Sequence, residues 1–211
     1  MTRIVDLTMT IEEGMVTYPG HPHVEITQLA RFGYEGKETR KITLGTHTGT
    51  HIDAPRHYIE GGATVEDIPP DVLCGPACVV DFSRHNAGID HVTLSRATRN
   101  SSRVLFRFDG DKRLGTFGYY KNQPWLQEGA ARWLIDNGCK LIGLDTPMPD
   151  CWEDIDDMPI HKALLGAGVV IVEYMVNLKA IQAETFQLIV APLKIKDGDG
   201  APARCFAIID D

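Results

Sequence analysis

Between Ala77 and Glu173 the chain alternates short apolar runs with helical segments, and this limits it to a layered α/β architecture. The runs ACVVDF (77–82), RVLFRF (103–108), LIGL (141–144) and VVIVE (169–173) read as buried strands. TLSRATRN (93–100) reads as a short helix with Thr93 as its N-cap. Pro124 stands at a first-turn position, and the segment from Trp125 reads as a helix closed by Gly138. IHKALL (160–165) is helical and stops at Gly166-Ala167-Gly168. Strands joined in this way pair at least partly in parallel. Residues 1–75 and 184–211 carry strand and loop patterns instead, so the expectation is a mixed sheet flanked by helices. No repeat, low-complexity tract or linker interrupts the chain, which predicts one domain over residues 1–211.

Charge and hydropathy exclude several functions. Twenty-one basic and 29 acidic residues give a net charge of −8, which opposes non-specific nucleic-acid binding. No apolar run approaches the roughly 18 residues of a membrane helix. The N-terminus places no apolar stretch behind Arg3 of the kind a signal peptide needs. A cytoplasmic protein is therefore expected, with Cys74, Cys78, Cys139, Cys151 and Cys205 as reduced, small apolar residues.

The eight histidines are unevenly spread, and three fall within Leu44-Gly-Thr-His47-Thr-Gly49-Thr-His51-Ile-Asp53-Ala-Pro55-Arg-His57. Gly49, Pro55 and the β-branched residues disfavour a helix here. On an extended chain residues 47, 51 and 53 point the same way, so two imidazoles and a carboxylate converge. That donor set suits a borderline divalent cation such as zinc or manganese and leaves a coordination position open for water. His57 could be a fourth ligand or could stand just off the metal as a proton carrier, a role suited to its titration near neutral pH.

A second half lies downstream. His161 begins a helix and Glu173 ends the next strand, so both reach the same edge of the sheet. Spacing alone is equally compatible with a helix-terminal histidine and a surface glutamate. Asp145, at the end of its strand, could support a ligand histidine or form a structural ion pair. The acidic run from Asp150 to Asp157 reads as a solvated loop, and Trp152 within it as a lid or an interface anchor. His21 and His23 could border the pocket or add a transient ligand, with solvated loop histidines the favoured reading, and Trp125 and Trp133 read as packing residues on one helix face.

The stretch His47-Thr-Gly-Thr-His51-Ile-Asp53-Ala-Pro-Arg-His57 resembles the signature His-x-Gly-Thr-His-x-Asp-x-Pro-x-His of the cyclase-like metal-dependent hydrolases. That family includes bacterial kynurenine formamidase and isatin hydrolase. The segment from His161 to Glu173 resembles its second signature, and Asp6-Leu7, Tyr18-Pro19-Gly20 and Leu144-Asp145-Thr146-Pro147 match further landmarks in order. The resemblance implies a swivelling β/β/α fold, a homodimer or homotetramer and a small-molecule substrate. It implies two divalent ions, zinc first and manganese as the alternative. His47, His51 and Asp53 would hold one; Asp53, His161 and Glu173 would hold the other. His57 would be the general acid/base and Tyr18 would contact the substrate. Total length favours the formamidase, so the implied reaction is hydrolysis of the formamide of N-formylkynurenine. A cyclic amide or lactone is the neighbouring alternative, and a non-catalytic metal-binding module the alternative from another class. The chain departs from the family pattern at His21, Tyr18 and Tyr174, which bear on the pocket rather than on the ligands.

Overall fold

The computed structural model describes residues 1–98, 101–116 and 118–210. In chain order the strands are β1 (Thr2–Asp6), β2 (Glu25–Ala30), β3 (Thr39–Thr43), β4 (His51–Asp53), β5 (Cys74–Asp81) and β6 (Gly88–Ile89). They continue with β7 (Arg103–Arg107), β8 (Trp125–Leu126), β9 (Leu141–Leu144), β10 (Val170–Glu173), β11 (Phe186–Pro192) and β12 (Gly200–Asp210). The helices are short: α1 (Phe32–Glu35), α2 (Pro70–Leu73), α3 (His91–Ala97), α4 (Glu128–Asp136) and α5 (Pro159–Gly166).

Strands β5, β7, β9 and β10 pair in parallel, as the alternation demands. They do not form an open sheet. β4 pairs antiparallel with β10 on one side and with the start of β12 on the other, while β11 joins β12 to β5. The order β12-β11-β5-β7-β9-β10-β4 therefore closes on itself, and β1 attaches outside it to β12. Closure gives each strand in the ring a partner on both sides, which removes exposed edges.

The ring has two apolar faces, and period-2 alternation assigns residues to them. Leu105, Leu141, Val170 and Val172 join Ile52, Leu188 and Ala201 in the interior. Val104, Phe106, Ile142 and Ile171 face outward and are covered by Leu94 of α3, Leu134 of α4 and Leu164 of α5. The expected mixed α/β sheet is present, but it closes on itself instead of lying open between helices. Helices pack on the outer face of the parallel strands, and the other face is buried inside the barrel. The cause lies in those strands being apolar on both faces, with the antiparallel strands from the two chain ends covering the inner one.

Two helix boundaries differ from expectation. α3 starts at His91, and its N-cap is Asp90, whose carboxylate accepts the Thr93 N–H at 2.7 Å. Thr93 lies inside the helix, and residues 99 and 100 of the expected helix lie outside the described residues. The segment from Trp125 to Gln127 is not helical. Trp125 and Leu126 form β8 beside β6, and the N–H groups of Leu126 and Gln127 donate to Pro149 O and Ile89 O. Long-range backbone partners override the first-turn preference of Pro124, and Trp125 does not share a helix with Trp133. Four cysteines are buried, Cys74 is exposed, and no disulfide forms among the described residues. No helix among them is long and apolar enough to cross a membrane.

Candidate metal centre

Ile52 points into the barrel, so its neighbours His51 and Asp53 on β4 point out of the wall. Glu173, at the end of β10, pairs with His51 across the strands. His161 is the third residue of α5, which packs against the short turn of residues 55–57 and against β10. His47 is not on the extended chain. Gly49 takes a left-handed φ of +62°, and this turn folds His47 back over β4. The convergence expected from an extended segment is reached by a turn instead.

All five expected ligands meet. His47 Nδ1 lies 2.7 Å from Asp53 Oδ1, and His51 Nε2 lies 3.3 Å from the same oxygen. His161 Nε2 lies 3.2 Å from Glu173 Oε1 and 3.5 Å from Asp53 Oδ2. Three trios of donors result: His47, His51 and Asp53; Asp53, His161 and Glu173; and His47, His57 and Asp199, the last only half-buried. Every member of the first two is buried. Asp53 Oδ2 is fully enclosed yet accepts no hydrogen bond. A buried carboxylate oxygen left in this state carries a large cost unless a cation faces it. Imidazole nitrogens and carboxylate oxygens are the donors that borderline divalent ions take, so the residues fit such an ion.

The electrostatics agree. Burial disfavours a charged His47, but Asp53 and Asp199 outweigh it and lift its pKa to about 10. His161 is likewise raised well above the usual imidazole range: burial opposes its charge, and Asp150, Asp53 and Glu173 prevail. Burial and the Asp53 charge raise Glu173. A field that holds protons on two buried imidazoles also attracts a divalent cation.

His57 differs in its electrostatics from the expected ligands His47 and His161. Burial pushes its pKa down to about 4, leaving a neutral imidazole at neutral pH. Its ring stacks on His47 with centroids 3.9 Å apart, and its Nδ1 lies 3.6 Å from Asp199. Tyr18 lines the pocket over the centre, together with His21, Tyr58, Met148, Met158 and Tyr174. Burial raises the Tyr18 phenol to about 12, so it stays neutral.

The sequence alone does not expose the contacts of Asp150 and Asp199. Asp150 is fully buried rather than solvated; it accepts the Ile160 and His161 N–H groups and lies 2.6 Å from His161 Nδ1. Asp199 lies 2.9 Å from His47 Nε2. His21 borders the pocket, with its ring 6.1 Å from His47, whereas His23 is exposed as expected. Asp145 takes neither expected role: its carboxylate accepts the Phe108 N–H at 2.8 Å. Trp152 stands next to the ring of Tyr120 and under Lys121.

Residues 5–151 match the Cyclase family, described as "Putative cyclase". The chain belongs to the cyclase family. It is 32% identical over 210 residues to kynurenine formamidase from Salinibacter ruber, covering 95% of each chain. It superposes with a TM-score of 0.82 and 32% identity on a protein described as a predicted metal-dependent hydrolase from Bacillus stearothermophilus, covering 99% of this chain and 98% of that one. Isatin hydrolase A from Labrenzia aggregata, bound to benzyl benzoate, superposes with a TM-score of 0.88 at 27% identity, covering 100% and 94%. This cyclase-family chain is a hydrolase, and its buried His, Asp and Glu cluster is that of a divalent-metal site.

Proposed function

We propose that this hydrolase cleaves the carbon–nitrogen bond of an aryl formamide, N-formylkynurenine first. The observation that carries the reading is the pair of donor trios sharing Asp53, set beside a neutral His57. The similarity to kynurenine formamidase supports the substrate. In this reading His47, His51 and Asp53 hold one ion and Asp53, His161 and Glu173 hold a second, zinc before manganese. A divalent cation bound there lowers the pKa of water and polarises a carbonyl oxygen.

The chain's own residues do the rest. Neutral His57 accepts a proton from the attacking water and returns it to the leaving nitrogen. Tyr18, Tyr58 and Tyr174 offer ring faces to a flat aryl group, with Tyr18 as the substrate contact, and Met148 and Met158 exclude water. The likeness to isatin hydrolase A favours a second reading, opening of a cyclic amide at the same centre. The family's swivelling β/β/α arrangement, one domain over residues 1–211 and a cytoplasmic homodimer or homotetramer belong to the same proposal. Leu29 and Ile42 support the oligomer, because both are exposed on the two-stranded β2–β3 ribbon.

The test is a turnover panel on metal-loaded protein with N-formylkynurenine, isatin and simple lactones, run beside His57→Ala. Turnover of the formamide above the others, lost about 10²- to 10⁴-fold in the variant with metal content intact, is expected. Loss of metal in His57→Ala would make His57 a ligand and overturn its role as proton carrier.

A further inference from the structure

The loop before β12 reaches the centre from the far end of the chain. Gly200 pairs with Asp53 as β12 closes the barrel. One residue earlier, the backbone carbonyl of Asp199 accepts the Ala54 N–H at 2.9 Å, and Ala54 O accepts the His57 N–H at 2.9 Å. Asp199 thus clips the turn that carries the chain from Asp53 to His57. Its side chain serves two rings at once. His47 presents Nε2 at 2.9 Å and His57 presents Nδ1 at 3.6 Å, both to the same oxygen, Oδ2. The two rings lie 29° from parallel, so they approach that oxygen side by side.

A neutral imidazole has one N–H and one lone pair, and the partner of one nitrogen decides which is which. A carboxylate only accepts. We propose that Asp199 is a positioning residue that accepts an N–H from both rings and thereby sets both tautomers. His47 is then left with its Nδ1 lone pair, the nitrogen that faces Asp53, as its ligating atom. His57 is left with its Nε2 lone pair as the proton acceptor. The approach of His57 is just beyond hydrogen-bond length, as catalytic contacts often are before substrate binds. One carboxylate therefore aligns a metal ligand and the proton carrier together. The inference rests on the reading of His57 as proton carrier given above.

The test uses metal-loaded protein and the variants Asp199→Ala, Asp199→Asn and Asp199→Glu. Long-range ¹⁵N–¹H spectra of histidine-labelled wild type should show Nδ1–H on His57 and Nε2–H on His47, and Asp199→Ala should mix the tautomers of His57. Chelator competition with zinc should show affinity down about 10- to 100-fold in Asp199→Ala. At saturating zinc, kcat should fall at least about tenfold with KM within about twofold, and Asp199→Glu should recover part of it. If Asp199→Ala does not fold, Asp199→Asn keeps the shape and is read by the same spectra. An Nε2–H tautomer on His57 in the wild type would overturn the proposal, as would wild-type zinc affinity and kcat in Asp199→Ala. Tautomers and zinc affinity do not depend on the substrate. Wild type that shows both as expected but does not turn over a formamide upholds Asp199 and rejects only the substrate.

Discussion

Asp150 holds His161 by both its ring and its backbone. One carboxylate oxygen lies 2.6 Å from His161 Nδ1, and the two together accept the first free N–H groups of α5. The ring is thereby turned so that Nε2 faces Asp53 and Glu173. Removing this partner should cost twice. Asp150→Ala should weaken divalent-metal binding about 10- to 100-fold. It should also lower stability by about 1–2 kcal/mol through the uncapped helix. Chelator competition measures the first effect and denaturant unfolding of the metal-free protein the second; unchanged metal affinity would reject the orienting role.

Thr50 braces the strand from the other side. Its hydroxyl donates to Tyr174 O at 2.7 Å and accepts the Met9 N–H at 2.9 Å, and the residue is 1% exposed. Thr50→Val keeps the shape and orphans both backbone groups. A loss of about 1–3 kcal/mol is expected in denaturant unfolding. A loss below about 0.5 kcal/mol would mean that both groups find other partners.

Asp145 should make the protein less stable as pH rises. Burial lifts its carboxyl from the unfolded value of 3.8 to about 7 in the fold. Between those values the folded chain holds a proton that the unfolded chain has released. The stabilisation is therefore full below about pH 4 and is lost as pH rises through about 7. Asp145→Asn can still accept the Phe108 N–H and carries no charge. Its advantage over wild type should grow from near zero at pH 4 to on the order of 3 kcal/mol at pH 8. Melting curves across that range check it, and a pH-independent difference would contradict the shift.

Metal binding should release protons. His47 and His161 are held protonated by the carboxylates around them, and a cation must displace those protons. Affinity should fall roughly tenfold per pH unit for each proton displaced as the solution is acidified. Calorimetric titration with zinc in two buffers of different ionisation enthalpy counts the protons. A count of zero at pH 7 would contradict the raised imidazoles.

Gly200 leaves room for His47. A Cβ at this position would meet His47 Cε1 at 2.5 Å and Ile52 O at 2.7 Å. Gly200→Ala must push the ring aside or part β12 from β4. Zinc affinity about tenfold lower or worse is expected, from the displaced ligand. A crystal structure of the variant with His47 in place would remove the steric argument.

The amino-acid sequence alone determined the centre where its parts are close along the chain. His47, His51, Asp53 and His57 fall within eleven residues, with Gly49 and Pro55 shaping the turn, so donor chemistry and spacing expose them together. It also determined the parallel strands, because a strand buried on both faces is a continuous apolar run. Barrel closure was decided by tertiary structure, since it depends on β12 pairing with β4 across about 150 residues and no local pattern encodes that contact. The same holds for Trp125 and Leu126, whose distant backbone partners overrode a good helix start. Asp150 and Asp199 were invisible for a related reason. A carboxylate in an acidic run or a Gly-rich loop has the composition of a solvated residue. Only the fold buries Asp150 under α5 and carries Asp199 to His47.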